Sequence, residues 1–249
     1  LIDALSQFFM TLLNAIQSVV GSYAVAILFF TVIIKLVLYP ATQKQYRSMK
    51  EMQALQPKIK QLQERYKDNQ QKLQEEQMKL FTEHGVNPFG GCLPLFIQMP
   101  ILYGIYATIY HFKPVFESEH VPFLWIGGWM SQQYPHYFAR NLSQPDMALL
   151  IMYGISMYLS QKLTVTDPST AQQQASMNLF MPIFITWVLH TFPSALVLYW
   201  LTFNLLGLIQ QAHIIRMPPP TLKKVAAGPI LMERLAQSAP KGSAPPDAK

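Results

Sequence analysis

The side chain best placed to do chemistry in this 249-residue chain is the amine of Lys35. It stands inside an apolar run from Tyr23 to Tyr39 that contains no acidic residue to neutralise it. Holding an ammonium at the centre of a membrane helix costs about 2.5 to 3.5 kcal/mol, so a lone one marks a candidate functional site. The chemistry it offers is electrostatic, namely attraction of a carboxylate or other anionic group into a poor dielectric. Snorkelling is the competing reading. Lys35 lies just before Tyr39-Pro40 and the basic segment that follows, close enough for its stem to lift the amine toward headgroups.

Bond-making chemistry has no comparable foothold. His84, His111, His120, His136, His190 and His213 are scattered without metal-ligand spacing, and Asp146 and Asp167 lie at the edges of apolar runs rather than inside them. An intramembrane protease needs a Ser-His or paired-Asp set within the spans, and the phosphate-loop, zinc and nucleophile-elbow signatures are absent. The expectation is a protein that is not an enzyme and uses no metal and no cofactor. The single Cys92 excludes an internal disulfide framework.

The elements that must hold Lys35 follow from the apolar blocks. Half the residues are hydrophobic and 13% are charged. Five blocks qualify as spans: Ser22 to Tyr39, Cys92 to Tyr110, Met147 to Leu163, Met177 to Leu189 and Ser194 to Ile215. Lipid leaves open backbone groups unsatisfied, so all five are expected to be helices. The fold class is therefore an all-α polytopic membrane protein with a five-transmembrane-helix core. Its fourth block offers only thirteen residues before His190, short of a core about 30 Å thick, which predicts local bilayer thinning or a protein-lined dent.

Residues 1–20 place Leu5, Phe8, Phe9, Leu12, Leu13 and Ile16 at helical spacing opposite Asp3, Ser6, Gln7, Asn14 and Gln17. This describes an outer interfacial helix that braces the bundle. Residues 21–40 form the first core span. Residues 41–86 change abruptly to Lys, Gln, Glu and Met, with Met49, Met52, Leu55, Ile59, Leu62 and Tyr66 in one stripe and Leu73, Leu80 and Phe81 in a second. With a turn at Lys67-Asp68-Asn69-Gln70, they predict a cytoplasmic helical hairpin. Residues 87–216 hold the remaining four spans, and residues 217–249, rich in Pro, Ala, Lys and Gly, predict a disordered basic tail.

Nine basic residues fall between Lys44 and Lys79 and six from Arg216 onward, against Lys113 and Arg140 between the second and third spans. That asymmetry predicts an N-terminus outside and a C-terminus in the cytoplasm. The chain opens at Leu1 without a starter Met, so an upstream signal or domain is expected to carry the N-terminus across.

Pro57 within Leu55-Gln56-Pro57-Lys58, the runs Asn87-Pro88-Phe89-Gly90-Gly91-Cys92-Leu93-Pro94 and Gln98-Met99-Pro100-Ile101, and Phe192-Pro193-Ser194-Ala195-Leu196-Val197-Leu198-Tyr199-Trp200 with Asn204 and Gln210-Gln211 are distinctive. Together they resemble the YidC/Oxa/Alb membrane protein insertase family over nearly the whole stretch from Leu1 to Arg216. The resemblance implies a hydrophilic, positively charged inner-leaflet groove that takes nascent membrane proteins and releases their spans sideways into lipid. It places Lys35 where the family usually carries arginine, which keeps the charge but loses the bidentate fork. It also implies that Thr31, Gln98, Met99, Tyr199 and Trp200 line the groove or touch substrate, with Asn204 a weaker member.

Nascent membrane proteins and membrane lipids are the implied partners, with the ribosome, the signal-recognition targeting machinery and the Sec translocon beside them, and the chain acting as a monomer in the bacterial inner membrane. Ribosome or targeting contacts would fall on Lys44, Arg47, Lys50, Lys58, Lys60, Arg65, Lys67, Lys223 and Lys224. The alternative class is a small-solute or anion transporter or channel. Against it stand the odd number of unequal spans and the lack of an internal repeat.

Overall fold

The computed structural model describes residues 2–87, 93–119, 121–164 and 171–217. The motif residues Pro88 to Cys92, Asp167, and the tail with Lys223 and Lys224 lie outside these. The described residues are all-helical, with no strand among them. Among the described residues two helices are long and apolar enough to cross a membrane, Tyr23–Arg65 and Ser194–Arg216.

Helix α1 (Ile2–Val20) packs against α2 (Tyr23–Arg65) and α4 (Leu93–His111). Its buried face differs from the apolar spacing. Ser6, Phe9, Met10 and Leu13 are buried, while Phe8 is 62% exposed. The cause lies on α4, where Gly104 admits the tips of Leu5 and Phe9, and Thr108 donates to the Ser6 carbonyl at 3.2 Å. A small residue on α1 is needed at that crossing, so Ser6 turns inward.

Helix α2 continues for 43 residues through Pro40 and Pro57 instead of ending at the first. At about 1.5 Å per residue it is a rod of roughly 65 Å. Pro40 removes one N–H from the ladder, a loss of one bond that a helix packed on its neighbours survives. Just beyond it Thr42 donates to the Leu38 and Tyr39 carbonyls, both at 3.1 Å. The far half of α2 turns at Tyr66–Asn69 into α3 (Gln70–Glu83), whose first turn is capped by Asn69 accepting from the Lys72 N–H at 3.0 Å. Leu55, Ile59 and Val86 form a small core there with Met52, Leu80 and Phe81.

The main core joins α1, α2, α4, α7 (Met147–Thr164) and α9 (Ser194–Arg216) around Phe9, Phe30, Leu149, Leu196, Val197 and Tyr199. Helix α8 (Ala171–Val188) packs on α7 and ends in a 3-10 turn, Leu189–Thr191. It begins six residues before the apolar block at Met177, so its 18 residues rise about 27 Å and the apolar stretch, rather than the helix, is what falls short.

Short helices α5 (Lys113–Glu117) and α6 (Trp129–Gln133) belong to the segment linking α4 to α7 at one end of the bundle. Two carboxylates organise this end. Asp146 is 2% exposed and accepts from Trp125 Nε1 at 3.0 Å on each oxygen, from the Ala139 N–H at 2.8 Å and from the Leu149 N–H at 2.8 Å. It is the N-cap of α7 and the anchor of the loop at once.

Glu119 accepts from the Tyr23 N–H at 2.6 Å, at the start of α2. Burial pushes its carboxyl above the ordinary carboxylate range, and the bond from Tyr23 only partly opposes this. The folded state thus holds this proton more tightly than the unfolded chain. The stabilisation is complete below about pH 4.5 and is lost as pH rises through the elevated value. Thermal unfolding in detergent is expected to show this pH dependence flattened in Glu119→Gln, which keeps an acceptor for Tyr23 and loses the ionisation.

Candidate functional site

Lys35 lies twelve residues into α2, roughly 18 Å along the helix, and is 7% exposed. Among the described residues no carboxylate lies within ion-pair distance of it. Its surroundings come from α9 instead. The amine sits 4.2 Å from the centroid of the Phe203 ring. One turn further, Gly207 leaves room for it: a Cβ there would stand 3.4 Å from Lys35 Nζ and 3.3 Å from Tyr46 Oη. Tyr46 donates to the Gly207 carbonyl at 3.3 Å.

Tyr199, one turn before Phe203 on the same face, is fully buried. Its ring centroid lies 5.9 Å from that of Phe203 and 6.5 Å from that of Phe30. Gln98 on α4 donates to the Tyr199 hydroxyl at 2.7 Å. The structure therefore joins Lys35, Tyr199 and Gln98 through Phe203, and Phe203 and Gly207 are the site residues that the sequence motifs did not single out. Their signal was present in the spacing, since Tyr199, Phe203 and Gly207 recur every four residues. What was missing was the register of α9 against α2.

Other expected members stand apart. Thr31 is fully buried and its hydroxyl donates to the Ile27 carbonyl at 2.6 Å, so it offers no free polar group. Met99 is 55% exposed on α4. Trp200 stacks on Tyr153 of α7 with centroids 6.1 Å apart. Asn204 faces α7, donating to Ser156 Oγ at 2.9 Å, because it sits about 100° around α9 from Phe203.

Polar pairs lie further along α2 and α9, toward the α3 end of the bundle. The Thr42 hydroxyl meets the buried Gln210 side-chain amide at 3.1 Å, and Ser160 donates to Gln211 Oε1 at 3.2 Å. Cavities include one of about 430 Å³ between the arms of α2 and α3, one of about 220 Å³ by Tyr106, Tyr110 and Lys113, and a small one of about 20 Å³ beside Tyr46, Lys50 and Gln211.

Of the basic residues expected to meet outside partners, Lys44, Arg47, Lys58, Arg65 and Lys67 are exposed and Lys60 is partly buried. Lys58 donates to His84 Nε2 at 2.8 Å, the other ring nitrogen serving the Leu80 carbonyl at 2.9 Å. Lys50 differs most. Its amine donates to the carbonyls of Ile214 at 2.9 Å, Ile215 at 3.3 Å and Met217, which makes it the C-terminal clasp of α9.

The described residues are those of an all-helical protein with two apolar helices of spanning length and a buried cation that has no carboxylate beside it among them, the make-up of a helical membrane protein, and the comparisons give the family. Residues 15–221 match the family described as 60Kd inner membrane protein. The chain is 43% identical over 208 residues to the membrane protein insertase YidC of Mannheimia succiniciproducens and 42% identical over 208 residues to that of Haemophilus influenzae. Each alignment covers 82% of this chain and 35% of the relative, so the chain spans about a third of the length of the curated relatives it matches. A crystal structure of an active YidC insertase with its first transmembrane domain resolved is similar at a TM-score of 0.64 and 30% identity, over 87% of this chain and 46% of that one. The chain belongs to this inner-membrane family, the YidC/Oxa/Alb insertases.

Proposed function

We propose that this chain is the insertase core of such a protein: it takes the polar extramembrane segments of nascent membrane proteins toward Lys35 and lets their apolar segments pass sideways into lipid. The observation that carries the reading is the Lys35 amine, buried in α2 with no carboxylate beside it among the described residues, on the same α2–α9 interface that holds Thr42 and Gln210 two turns further along. An uncompensated cation at that depth costs energy, and a passing carboxylate offsets part of it. Burial of the inserting helix, about 0.8 kcal/mol per CH2, drives the step without nucleotide, metal or enzymatic chemistry.

In this reading the N-terminal part of α2 (residues 21–40), with α4, α7, α8 and α9 (residues 87–216), forms a five-span core. Residues 1–20 lie along the outer face. Residues 41–86 form a cytoplasmic hairpin, and residues 217–249 form a basic tail. The excess of basic residues on the hairpin and tail sets the N-terminus outside and the C-terminus in the cytoplasm. The exposed Lys44, Arg47, Lys58, Arg65 and Lys67, with Lys223 and Lys224 of the tail, are candidate contacts to the ribosome, the targeting machinery or the Sec translocon, while Lys50 is committed within the fold. A monomer suffices for all of this.

The test is depletion-complementation with a pair of single-span substrates that differ only in the charge of the translocated tail. Lys35→Ala is expected to lower insertion of the acidic-tailed substrate about tenfold more than the neutral one, the equivalent of one charge-assisted hydrogen bond near 1.5 kcal/mol. Lys35→Arg is expected to insert both, and Lys35→Glu neither. Full complementation by all three removes charge capture from the mechanism. Anion flux through liposomes that depends on Lys35, without insertion, would instead assign a transporter.

A further inference from the structure

Lys35 is solvated by an aromatic face where a buried cation usually finds a carboxylate. The Phe203 centroid lies 4.2 Å from its Nζ, Gly207 opens the space beside it, and the Tyr46 hydroxyl donates to the Gly207 carbonyl. The Phe203 ring is in turn fixed by Tyr199, 5.9 Å away and held by Gln98. Resting on the insertase reading above, we propose that Phe203 is a positioning and specificity-determining residue: its ring holds the Lys35 ammonium and weakens its attraction for anions, so that the site discriminates little between acidic and neutral translocated tails.

The physical argument is competition. The ring's negative face stabilises the ammonium without neutralising it, most strongly where water is scarce. An arriving carboxylate approaches from the side away from the ring, and the free amine is already partly satisfied. Removing the ring leaves an amine with nothing but solvent or substrate to turn to. A purely structural role for Phe203 would affect all substrates alike. A positioning role changes the ratio between them.

Two measurements on the full chain test this. In proteoliposomes, Phe203→Leu is expected to raise the preference for an acidic over a neutral translocated tail about threefold, while Phe203→Tyr keeps the wild-type ratio. In a Lys35→Ala background the Phe203→Leu effect should vanish. An unchanged ratio, an equal fall for both substrates, or the same shift without Lys35 would overturn the proposal. The second measurement needs no insertion activity. With the protein's lysines reductively methylated with 13C-formaldehyde, the Lys35 dimethylamine, assigned by its loss in Lys35→Ala, is expected to resonate upfield under the ring current and to return to the ordinary lysine position in Phe203→Leu. A Lys35 resonance at the ordinary position in the wild type overturns the cradle. Failure of the wild type to insert either substrate, with the ring-current shift present, refutes the insertase reading and the specificity role while leaving the cradle itself standing.

Discussion

Asp146→Ala is expected to lower stability by about 3 kcal/mol or more and to leave little folded protein in detergent at physiological temperature. The residue accepts from three N–H groups at 2.8 to 3.0 Å, the Trp125 indole being shared between both oxygens, while being 2% exposed. Losing an N-cap alone costs about 1 kcal/mol. The larger part comes from the donors left behind, because a buried N–H without a partner costs about 1 to 3 kcal/mol. Trp125 Nε1 and the Ala139 N–H both lose theirs at once. Asp146→Asn retains a single well-placed acceptor oxygen and turns the other position into a donor facing donors, so it should fall between wild type and Ala. Chemical denaturation followed by Trp fluorescence checks the order. Equal midpoints for all three would mean that the loop between α4 and α7 is held by something other than this carboxylate.

Gly104→Leu is expected to cost about 3 kcal/mol and to disturb the site at a distance. A Cβ at Gly104 would already lie 2.7 Å from Leu5 Cδ2 and 2.7 Å from Phe9 Cε2. Alanine is accommodated by shifting those tips, at a cost nearer 1 kcal/mol, but a branched side chain forces α1 away from α4. Phe9 meets Phe30 edge-on with centroids 5.2 Å apart, and Phe30 in turn faces Tyr199. The overpacking therefore reaches the partner of Gln98 through two aromatic contacts. The measurement is the thermal midpoint together with a disulfide pair engineered across α1 and α4, which should form readily in wild type and in Gly104→Ala but not in Gly104→Leu.

How much of this was legible beforehand depends on whether the determining interaction is local. The helical character of the apolar blocks is a one-dimensional property, and so is the oddity of Lys35. Asn69 as a helix start and Asp146 ahead of an apolar run carry ordinary capping signals, although Asp146 read only as a span edge until Trp125 and Ala139 were seen to converge on it. The rotation of α1 was hidden because Ser6 turns inward for a glycine and a threonine a hundred residues away. Pro40 looked like a boundary because its local preference opposes helix, and packing of α2 on its neighbours outweighs that preference. Lys50 read as a contact for outside partners for the same reason that Phe203 was not singled out at all. Each acquires its role from the register of α9 against α2, which depends on the assembled bundle.

Lys50 also decides which part of this assembly is able to swing. Helix α9 is fastened at one end by the Ser194 and Ala195 N–H groups, which donate to the carbonyls of Gln144 and Leu142 at 2.8 and 3.0 Å, and at the other by the Lys50 amine on its last carbonyls. A strut bolted top and bottom makes a poor door. Among the described residues Gln98 and Tyr199 make one side-chain hydrogen bond between α4 and α9, at 2.7 Å, so under the proposed insertase function an opening is expected on the α4 side, against a doorpost that stays put.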